Sequence, residues 1–423
     1  MTRATAPEDR TPRASRTPDS SGASALPPTA GTALVLRLRG AARYAAPALL
    51  GYAAVRAVGL LALVAAHGVH RTVTRLGSAF DAEWYAGIVR SGYAYSDGLV
   101  GQHGIPYSSK AFFPLFPALA EPFHRLLPIS AGTALLVVAW SASLAAAWGI
   151  FACAAHLHSR RVGVLAAVLW GVLPLAAVED MGYSEGLFTA LCAWALYAVL
   201  TRRWIWAGSL CVLAGLTRPT GMALTGAVGL AALVELCRWW RGRGEPARPG
   251  AVDWWRPLVG GLLSPLGWLG FILWTGWSEG SWGAYFHIQK AWASSFDGGA
   301  HTLKWYGELL GPYHRGYGHT QAHLVTGVTA LVYLLLFVVT LVRRQPLVLL
   351  AFSAALLVMD LGNSSPYPPL ARFLMPAFPL LFPLAEWLAR IRNRGVLLVL
   401  LGAAALASAA YGVLVVFHNG APA

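Results

Sequence analysis

The chain has 423 residues, of which 57% are hydrophobic and only 12% are charged. Soluble domains carry about 25% charged residues, so this composition excludes an ordinary soluble globular protein. The formal net charge is +14, but the basic residues form short clusters between apolar blocks, which is typical of membrane topology signals and not of nucleic-acid binding.

The N-terminal segment, residues 1–40, is rich in Arg, Pro, Ser and Thr and shows no apolar periodicity. Such a segment cannot bury enough apolar surface to order itself. The sequence therefore predicts a disordered, basic cytoplasmic tail over residues 1–40, followed by a single membrane domain over residues 41–423.

Apolar blocks then follow one another along the chain. An α-helix needs about 20 apolar residues to cross the hydrocarbon core of a bilayer, and a helix satisfies its own backbone hydrogen bonds there. The sequence therefore predicts an all-α polytopic membrane protein with about eleven transmembrane helices. The predicted spans cover approximately residues 45–67, 131–154, 162–178, 186–200, 204–217, 219–237, 257–276, 322–342, 346–361, 372–389 and 395–417.

The basic residues also predict an orientation. With the N-terminus inside, the inner segments carry roughly twice as many Lys and Arg residues as the outer segments. The sequence thus predicts a multi-pass protein of the cell membrane with a cytoplasmic N-terminus and an extracytoplasmic C-terminus. Two outer loops are long and rich in aromatic residues, at 68–130 and 277–321. Because long loops in compact proteins are usually functional or disordered, these two are candidates for carrying the function.

The first outer loop contains a predicted helix. Trp84 and Ile88 recur at helical spacing, which indicates a short amphipathic helix on the membrane surface, and Gly92 is placed to end it. Asp81 stands at the start of this helix and has two interpretations. It caps the first turn, or it is a carboxylate that the helix aims into a cleft. Glu83 lies on a different face and is by default a solvated charge.

Further charged groups stand at the predicted outer ends of other helices. Lys110 precedes the segment that returns the loop to the membrane, where it either snorkels or holds a phosphate. Glu185, Arg218 and Arg372 each stand at a helix boundary, and each alone could anchor a helix end. Together they match transfer from a phosphate-linked donor, in which a carboxylate takes the proton of an attacking hydroxyl and cations stabilise the departing phosphate. Arg56 lies within the first span, so it should face the interior in an ion pair.

At these residues the sequence resembles the PIG-V family, the GT-C membrane mannosyltransferases that add the second mannose of the GPI anchor. The resemblance is carried by residues 81–83 and 92–95, by 111–117 and by 183–188, and more loosely by 289–292 and 371–373. The chain departs from the family where Phe80 replaces a usual Trp, and where Pro219 and Thr220 follow Arg218.

The resemblance implies a GT-C-type bundle, a polyprenyl-phosphate-mannose donor and inversion at the anomeric carbon. It also implies that Asp81 is the catalytic base, and Glu83 in the same motif is the second candidate catalytic residue. The partners expected are the polyprenyl-phosphate-linked sugar, a glycolipid or other hydroxyl acceptor, and the lipid bilayer, with no nucleic acid. No cofactor and no metal ligand are required, although a divalent cation at the outer carboxylates is left open. The candidate substrate-binding residues are Tyr85, Tyr93, Lys110, Tyr183, Ser184, Glu185, Arg218, Gln289, Lys290 and Arg372.

Two alternatives stay open at this stage. A membrane transporter or a lipid or glycolipid flippase would place ionisable groups at mid-membrane on broken helices. A non-catalytic assembly subunit would use Asp81 only to cap a helix.

Overall fold

The computed structural model describes residues 30–242, 253–310, 320–364 and 371–417. Over these residues the chain forms seventeen α-helices and one pair of two-residue strands, so the prediction of an all-α fold class is confirmed. The chain divides into units of 1–44 and 45–423, and the second unit contains every predicted site residue. Of the predicted tail, residues 1–29 lie outside the described residues, and 30–40 belong to the first helix instead.

The first nine helices run from the N-terminal side to the middle of the chain. They are α1 Ala30–His67, α2 Val69–Ser78, α3 Asp81–Ser91, α4 Leu115–Leu126, α5 Ala131–Leu157, α6 Arg160–Gly171, α7 Glu185–Leu200, α8 Trp204–Gly215 and α9 Gly221–Arg241. Short 3-10 turns occur between them at Gly92–Ala94, Gln102–Gly104, Ser109–Ala111 and Ala176–Asp180.

The remaining helices are α10 Trp255–Leu263, α11 Leu266–Ser278, α12 Ala284–Ala291, α13 Ala300–Leu310, α14 Thr320–Val342, α15 Leu347–Leu361, α16 Phe382–Ala389 and α17 Arg394–Phe417. Strand β1 (Ser295–Phe296) pairs antiparallel with β2 (Asn363–Ser364). Two 3-10 turns, Ala371–Leu374 and Phe378–Leu381, precede α16.

Six helices among the described residues are long and apolar enough to cross a membrane: Arg39–His67, Ala131–Leu157, Gly221–Arg241, Trp255–Ser278, Leu324–Val342 and Arg394–Phe417. The chain is therefore a multi-pass membrane protein. The predicted count of about eleven spans is not confirmed, because several predicted spans are shorter or broken helices. For example, the predicted span 372–389 contains two 3-10 turns before α16, and Pro376, Pro379 and Pro383 interrupt the helical hydrogen-bond pattern there.

The first outer loop contains α2, α3 and α4, as the prediction of juxtamembrane helices requires. Helix α3 ends at Gly92, whose φ of 62° is a left-handed conformation that suits glycine. Seven of the eleven residues of α3 are buried, so the helix is covered by protein, and its location at the membrane surface stays a prediction. Trp84 packs against the rings of Phe112 and Trp292 from both outer loops, so α3 is enclosed by protein.

The core beneath this loop consists of α5, α6 and α7, whose contacting residues are mostly Ala, Gly and other small or aliphatic side chains. Small residues allow helices in membranes to approach closely. A Cβ at Gly186 would overlap Ser143 Oγ of α5, so glycine lets the first turn of α7 pack directly on α5. This packing fixes the position of Glu185, the first residue of α7.

Arg56 of α1 is buried and paired, as predicted. Its guanidinium forms an ion pair with Asp180, lies 3.9 Å from Glu179 and donates to the backbone oxygen of Gly171 at 3.1 Å. Tyr52 donates to Glu179 at 2.6 Å. The one guanidinium of this group faces two buried carboxylates, and these contacts make it a structural link between α1 and the Ala176–Asp180 turn.

Candidate active site

Asp81 is the first residue of α3, and its carboxylate does not cap the helix. The residue before the helix is Phe80, with φ 54°, and no side chain caps the first turn. Asp81 Oδ2 instead accepts a 2.7 Å hydrogen bond from Arg372 Nη1. The capping interpretation of Asp81 is therefore wrong, because the carboxylate turns away from its own backbone towards a cation on a distant segment.

Arg372 lies on the 3-10 turn Ala371–Leu374 and is mostly enclosed, with 12% of its side chain exposed against 21% for Asp81. Its Nη1 is also 3.8 Å from Glu185 Oε1. The guanidinium carbon lies 4.9 Å from the ring centre of Phe373 and 5.4 Å from that of Tyr183, within the range of cation–π attraction. Among the described residues its buried Nε has no hydrogen-bond partner.

A second pair lies directly beside the first. Glu185 is almost completely buried, with 1% of its side chain exposed, and its Oε2 is 2.7 Å from Arg218 Nη1. Arg218 also donates to Ser184 Oγ at 3.0 Å, and Ser184 Oγ is 2.8 Å from the hydroxyl of Tyr85. Two carboxylates and two guanidiniums thus form one electrically neutral group.

Two tyrosines complete this group. The backbone N–H of Asp81 donates to the Tyr183 hydroxyl at 3.3 Å. Burial raises the pKa of Tyr183 and of Tyr85 above their ordinary value, so both remain neutral hydrogen-bonding groups. We call the whole set the Asp81 cluster; its members are Asp81, Tyr85, Tyr183, Ser184, Glu185, Arg218 and Arg372.

A cavity of about 360 Å³ adjoins the Asp81 cluster at Phe373. The Phe373 ring faces both arginines, with the Arg218 guanidinium carbon 5.1 Å from its centre, and it also lines the cavity. Phe286 and Phe296 line the cavity as well, although 55% and 67% of their surfaces are exposed. The cavity therefore opens between exposed aromatic side chains. Its other lining residues are Pro219, Thr220, Tyr285, Gln289, Lys290, Ser294, Ser295, Leu356, Met359, Asp360 and Asn363.

Of the predicted site residues, Gln289 and Lys290 thus lie at the cavity and not in the Asp81 cluster. Gln289 donates to the Tyr285 hydroxyl at 2.8 Å and to the backbone oxygen of Ala111 at 3.3 Å. These contacts join the two long outer loops, because Ala111 belongs to the first loop and Gln289 to the second. Gln289 is consequently both a lining residue and a link between the loops.

Three other candidates lie away from the Asp81 cluster. Glu83 is exposed, and its side chain makes no hydrogen bond or ion pair within the described part of the chain. The Tyr93 hydroxyl donates to the backbone oxygen of Phe112 at 2.8 Å, so it supports the loop. Lys110 Nζ is 2.5 Å from Glu279 Oε1 and 3.0 Å from Ser278 Oγ. The charge of Lys110 is thus paired with a residue at the end of α11, and its assignment as a substrate-binding residue stays a prediction.

Sequence reasoning missed the roles of Phe373 and Asp360. In the sequence, Phe373 is only part of a loosely matching motif, yet its ring is shared by both arginines and the cavity. Asp360, at the end of α15, is 5% exposed and lines the cavity, which its position at a helix end did not indicate. The sequence did contain one signal for Phe373, because it is an aromatic residue directly after Arg372, where its ring can contact the guanidinium.

No model of a known protein family matches the chain, and no curated protein matches its sequence. Among solved structures, the chain is similar to the oligosaccharyltransferase AglB from Archaeoglobus fulgidus in complex with an inhibitory peptide and a dolichol-phosphate, with 13% identity and a TM-score of 0.48 over 88% of this chain. It is also similar to ArnT from Cupriavidus metallidurans bound to undecaprenyl phosphate, with 18% identity and a TM-score of 0.46 over 84% of this chain. The chain spans 56% and 62% of the lengths of those two structures.

No cluster of three or more His, Cys, Asp or Glu side chains suited to a metal ion occurs within the described ranges. In the Asp81 cluster each carboxylate faces a guanidinium, so arginines supply the positive charge there. The expectation that no cofactor is required, and the open question of a divalent cation, stay predictions.

Proposed function

We propose that the chain is a membrane glycosyltransferase that moves a hexose from a polyprenyl-phosphate-linked donor to an acceptor hydroxyl, with Asp81 as general base. The observation that carries the proposal is the Asp81 cluster, in which a partly exposed carboxylate and two arginines lie together beside a cavity with an aromatic mouth. Mannose is the first sugar to test, because the sequence resembles the PIG-V family. A glycolipid is the first acceptor class for the same reason.

The reaction assigns one task to each charged group. The acceptor O–H loses its proton to Asp81 while its oxygen forms a bond to the anomeric carbon of the donor. The bond between that carbon and the phosphate oxygen breaks, and its electron pair leaves with the polyprenyl phosphate. Attack from the side opposite the leaving group inverts the anomeric centre. Asp81 Oδ2 is occupied by Arg372, and Oδ1 is left for the acceptor proton.

The arginines stabilise the charge that develops on the leaving phosphate. A phosphate oxygen accepts charge-assisted hydrogen bonds from guanidinium groups in a geometry that suits arginine. Arg372 has an unpartnered Nε, and Arg218 shares the Phe373 ring with it. A donor phosphate at this ring would contact both guanidiniums, which is the arrangement that favours a departing dianion.

The cavity suits the lipid part of the donor. Five large apolar side chains line the cavity: Phe286, Phe296, Leu356, Met359 and Phe373. Exposed aromatic residues at its mouth are stable against the acyl region of a membrane or its interface. An isoprenoid chain could therefore enter from the bilayer and place its phosphate near Phe373.

The orientation follows from the same proposal together with the basic residues. With the N-terminus in the cytoplasm and the C-terminus outside, α3 and the start of α7 lie on the extracytoplasmic face of the cell membrane. Residues 41–423 would then form one catalytic domain, to which both outer loops, 68–130 and 277–321, contribute.

The test is sugar transfer in membranes supplied with radiolabelled polyprenyl-phosphate mannose, and in parallel with the corresponding glucose and galactose donors. Asp81→Asn keeps the side-chain size and removes the base, so we expect transfer to fall by about 10²–10⁴-fold. The matched control is Glu121→Gln, which removes an outer-loop carboxylate that also faces an arginine, Arg125 of the same helix. Equal transfer by wild type and Asp81→Asn would remove Asp81 from the mechanism. No transfer from any of the donors, at normal expression, would reject the proposed donor class.

A further inference from the structure

A second cavity lies at the other end of the helical bundle. It has a volume of about 320 Å³ and is lined by Leu157, His158, Arg343, Arg344, Gln345, Pro346 and Glu386. The first turn of α5 contacts α2 of the outer loop at Gly132, and the cavity borders the last residue of α5, Leu157. These points are about 25 residues apart, or about 37 Å along the helix at roughly 1.5 Å per residue. The second cavity is therefore separate from the Asp81 cluster.

The charges of the second cavity are unbalanced. Glu386 is its one carboxylate, and it is already contacted by Arg343 Nη1 at 2.7 Å and by His158 Nδ1 at 3.4 Å. Arg344 provides a second guanidinium, whose side chain makes no ion pair or hydrogen bond with the described residues. The cavity thus has a surplus of positive charge.

The backbone holds Arg344 in place. Its φ of 53° is a left-handed conformation that is uncommon for residues other than glycine and asparagine. The turn is fixed by hydrogen bonds from the Arg344 N–H to Leu341 and from the Gln345 N–H to Thr340, at 3.0 and 3.2 Å. Gln345 is buried and donates to the backbone oxygen of Pro379. The hydrogen-bonded turn therefore fixes the backbone of Arg344 at the edge of the cavity.

We infer that this cavity binds a phosphate group, and that a phospholipid headgroup supplies it. Guanidinium groups pair with phosphate through charge-assisted hydrogen bonds, and basic pockets between membrane helices bind anionic headgroups. Exposed apolar side chains lie next to the cavity in sequence, at Val342, Leu347 and Trp387. Acyl chains could cover these side chains while the phosphate contacts Arg344, which favours a phospholipid over free phosphate.

The experiment measures phosphatidylglycerol binding to the purified full chain in detergent by native mass spectrometry. Arg344→Asn removes the charge while retaining a residue that tolerates the left-handed backbone. Loss of one charge-assisted contact predicts binding weaker by about tenfold or more. The matched control is Arg202→Asn, because Arg202 is also an arginine with positive φ, 59°, and follows the far end of α7, outside the cavity.

Binding that weakens in Arg344→Asn and stays unchanged in Arg202→Asn supports the site. Equal binding by wild type and Arg344→Asn, or equal loss in both variants, overturns it, since the lipid would then recognise only a diffuse basic surface. If Arg344→Asn is poorly folded by size-exclusion chromatography, Arg344→Gly repeats the test with a residue that also accepts this backbone. Competition by millimolar inorganic phosphate would identify free phosphate as the ligand of the same site, and its absence assigns the phospholipid.

Discussion

The ion pair between Asp81 and Arg372 can be tested by a double-mutant cycle with Asp81→Asn, Arg372→Gln and the combined variant. The two side chains are joined by one 2.7 Å contact and are 21% and 12% exposed. Removing one partner of a fully buried pair costs about 3–5 kcal/mol. Glu185, at 3.8 Å from Arg372, still compensates that cation in Asp81→Asn, and Asp81 is partly solvated, so we expect this variant to lose only about 2 kcal/mol.

Arg372→Gln should lose about 3 kcal/mol, because it leaves two carboxylates with one remaining arginine and removes the contacts with the Tyr183 and Phe373 rings. A hydrogen bond between charged groups contributes about 1.5–3 kcal/mol, so the coupling between the two changes should be about 2 kcal/mol. The combined variant should therefore lose about 3 kcal/mol, much less than the two single losses together.

The assay is unfolding in mixed micelles by denaturant, followed by tryptophan fluorescence, with all variants in the same detergent. The same cycle on the exposed pair of Glu121 and Arg125 serves as the control, and it should give a coupling below about 0.5 kcal/mol. Losses for Asp81 and Arg372 that add within about 0.5 kcal/mol would refute the reasoning, since the two residues would then not interact in the folded protein.

Two further predictions concern the outer loops. Glu83→Gln should retain sugar transfer within about twofold, because the exposed Glu83 side chain makes no hydrogen bond or ion pair with the described members of the Asp81 cluster. A loss comparable to that of Asp81→Asn would place Glu83 in the mechanism. Asp297 accepts hydrogen bonds from the backbone N–H groups of His301 and Gly299 at the start of α13, which lowers its pKa below the ordinary value. The unfolded chain then binds this proton more readily, so the contribution of Asp297 to α13 is present above its ordinary pKa and is lost as the pH falls through the lowered value. Amide hydrogen exchange of α13, corrected for intrinsic rates, should be faster at about pH 3 than at about pH 7 in wild type and nearly equal at the two pH values in Asp297→Asn; a wild type without this difference would contradict the prediction.

The general class of the protein and several local features were accessible from the sequence. Long apolar blocks mark a membrane protein because the bilayer requires internally hydrogen-bonded segments of a certain length. The helix after Phe80, its end at Gly92 and the pairing of Arg56 were also predicted correctly. Each of these depends on residues close in sequence or on the high cost of an unpaired charge in lipid.

The span count and the role of Lys110 were not predictable in the same way. Hydropathy cannot distinguish a full span from a short helix that other helices bury, so predicted spans such as 162–178 became the short helix α6 and a 3-10 turn. Lys110 pairs with Glu279, which is 169 residues away in sequence. Only the packing of the first loop against the end of α11 makes that pair.

The sequence alone determined that the chain is helical, that it crosses a membrane several times and which charged residues stand at helix ends. It did not determine which of those charges meet. Asp81 and Arg372 are 291 residues apart, and local rules left a helix cap as one of two interpretations of Asp81 because they consider only neighbouring backbone groups. Only the tertiary structure decides which charges pair. It brings together the starts of α3 and α7, the turn at Arg218 and the 3-10 turn at Arg372. Around Phe373 the two carboxylates and the two guanidiniums then compensate one another.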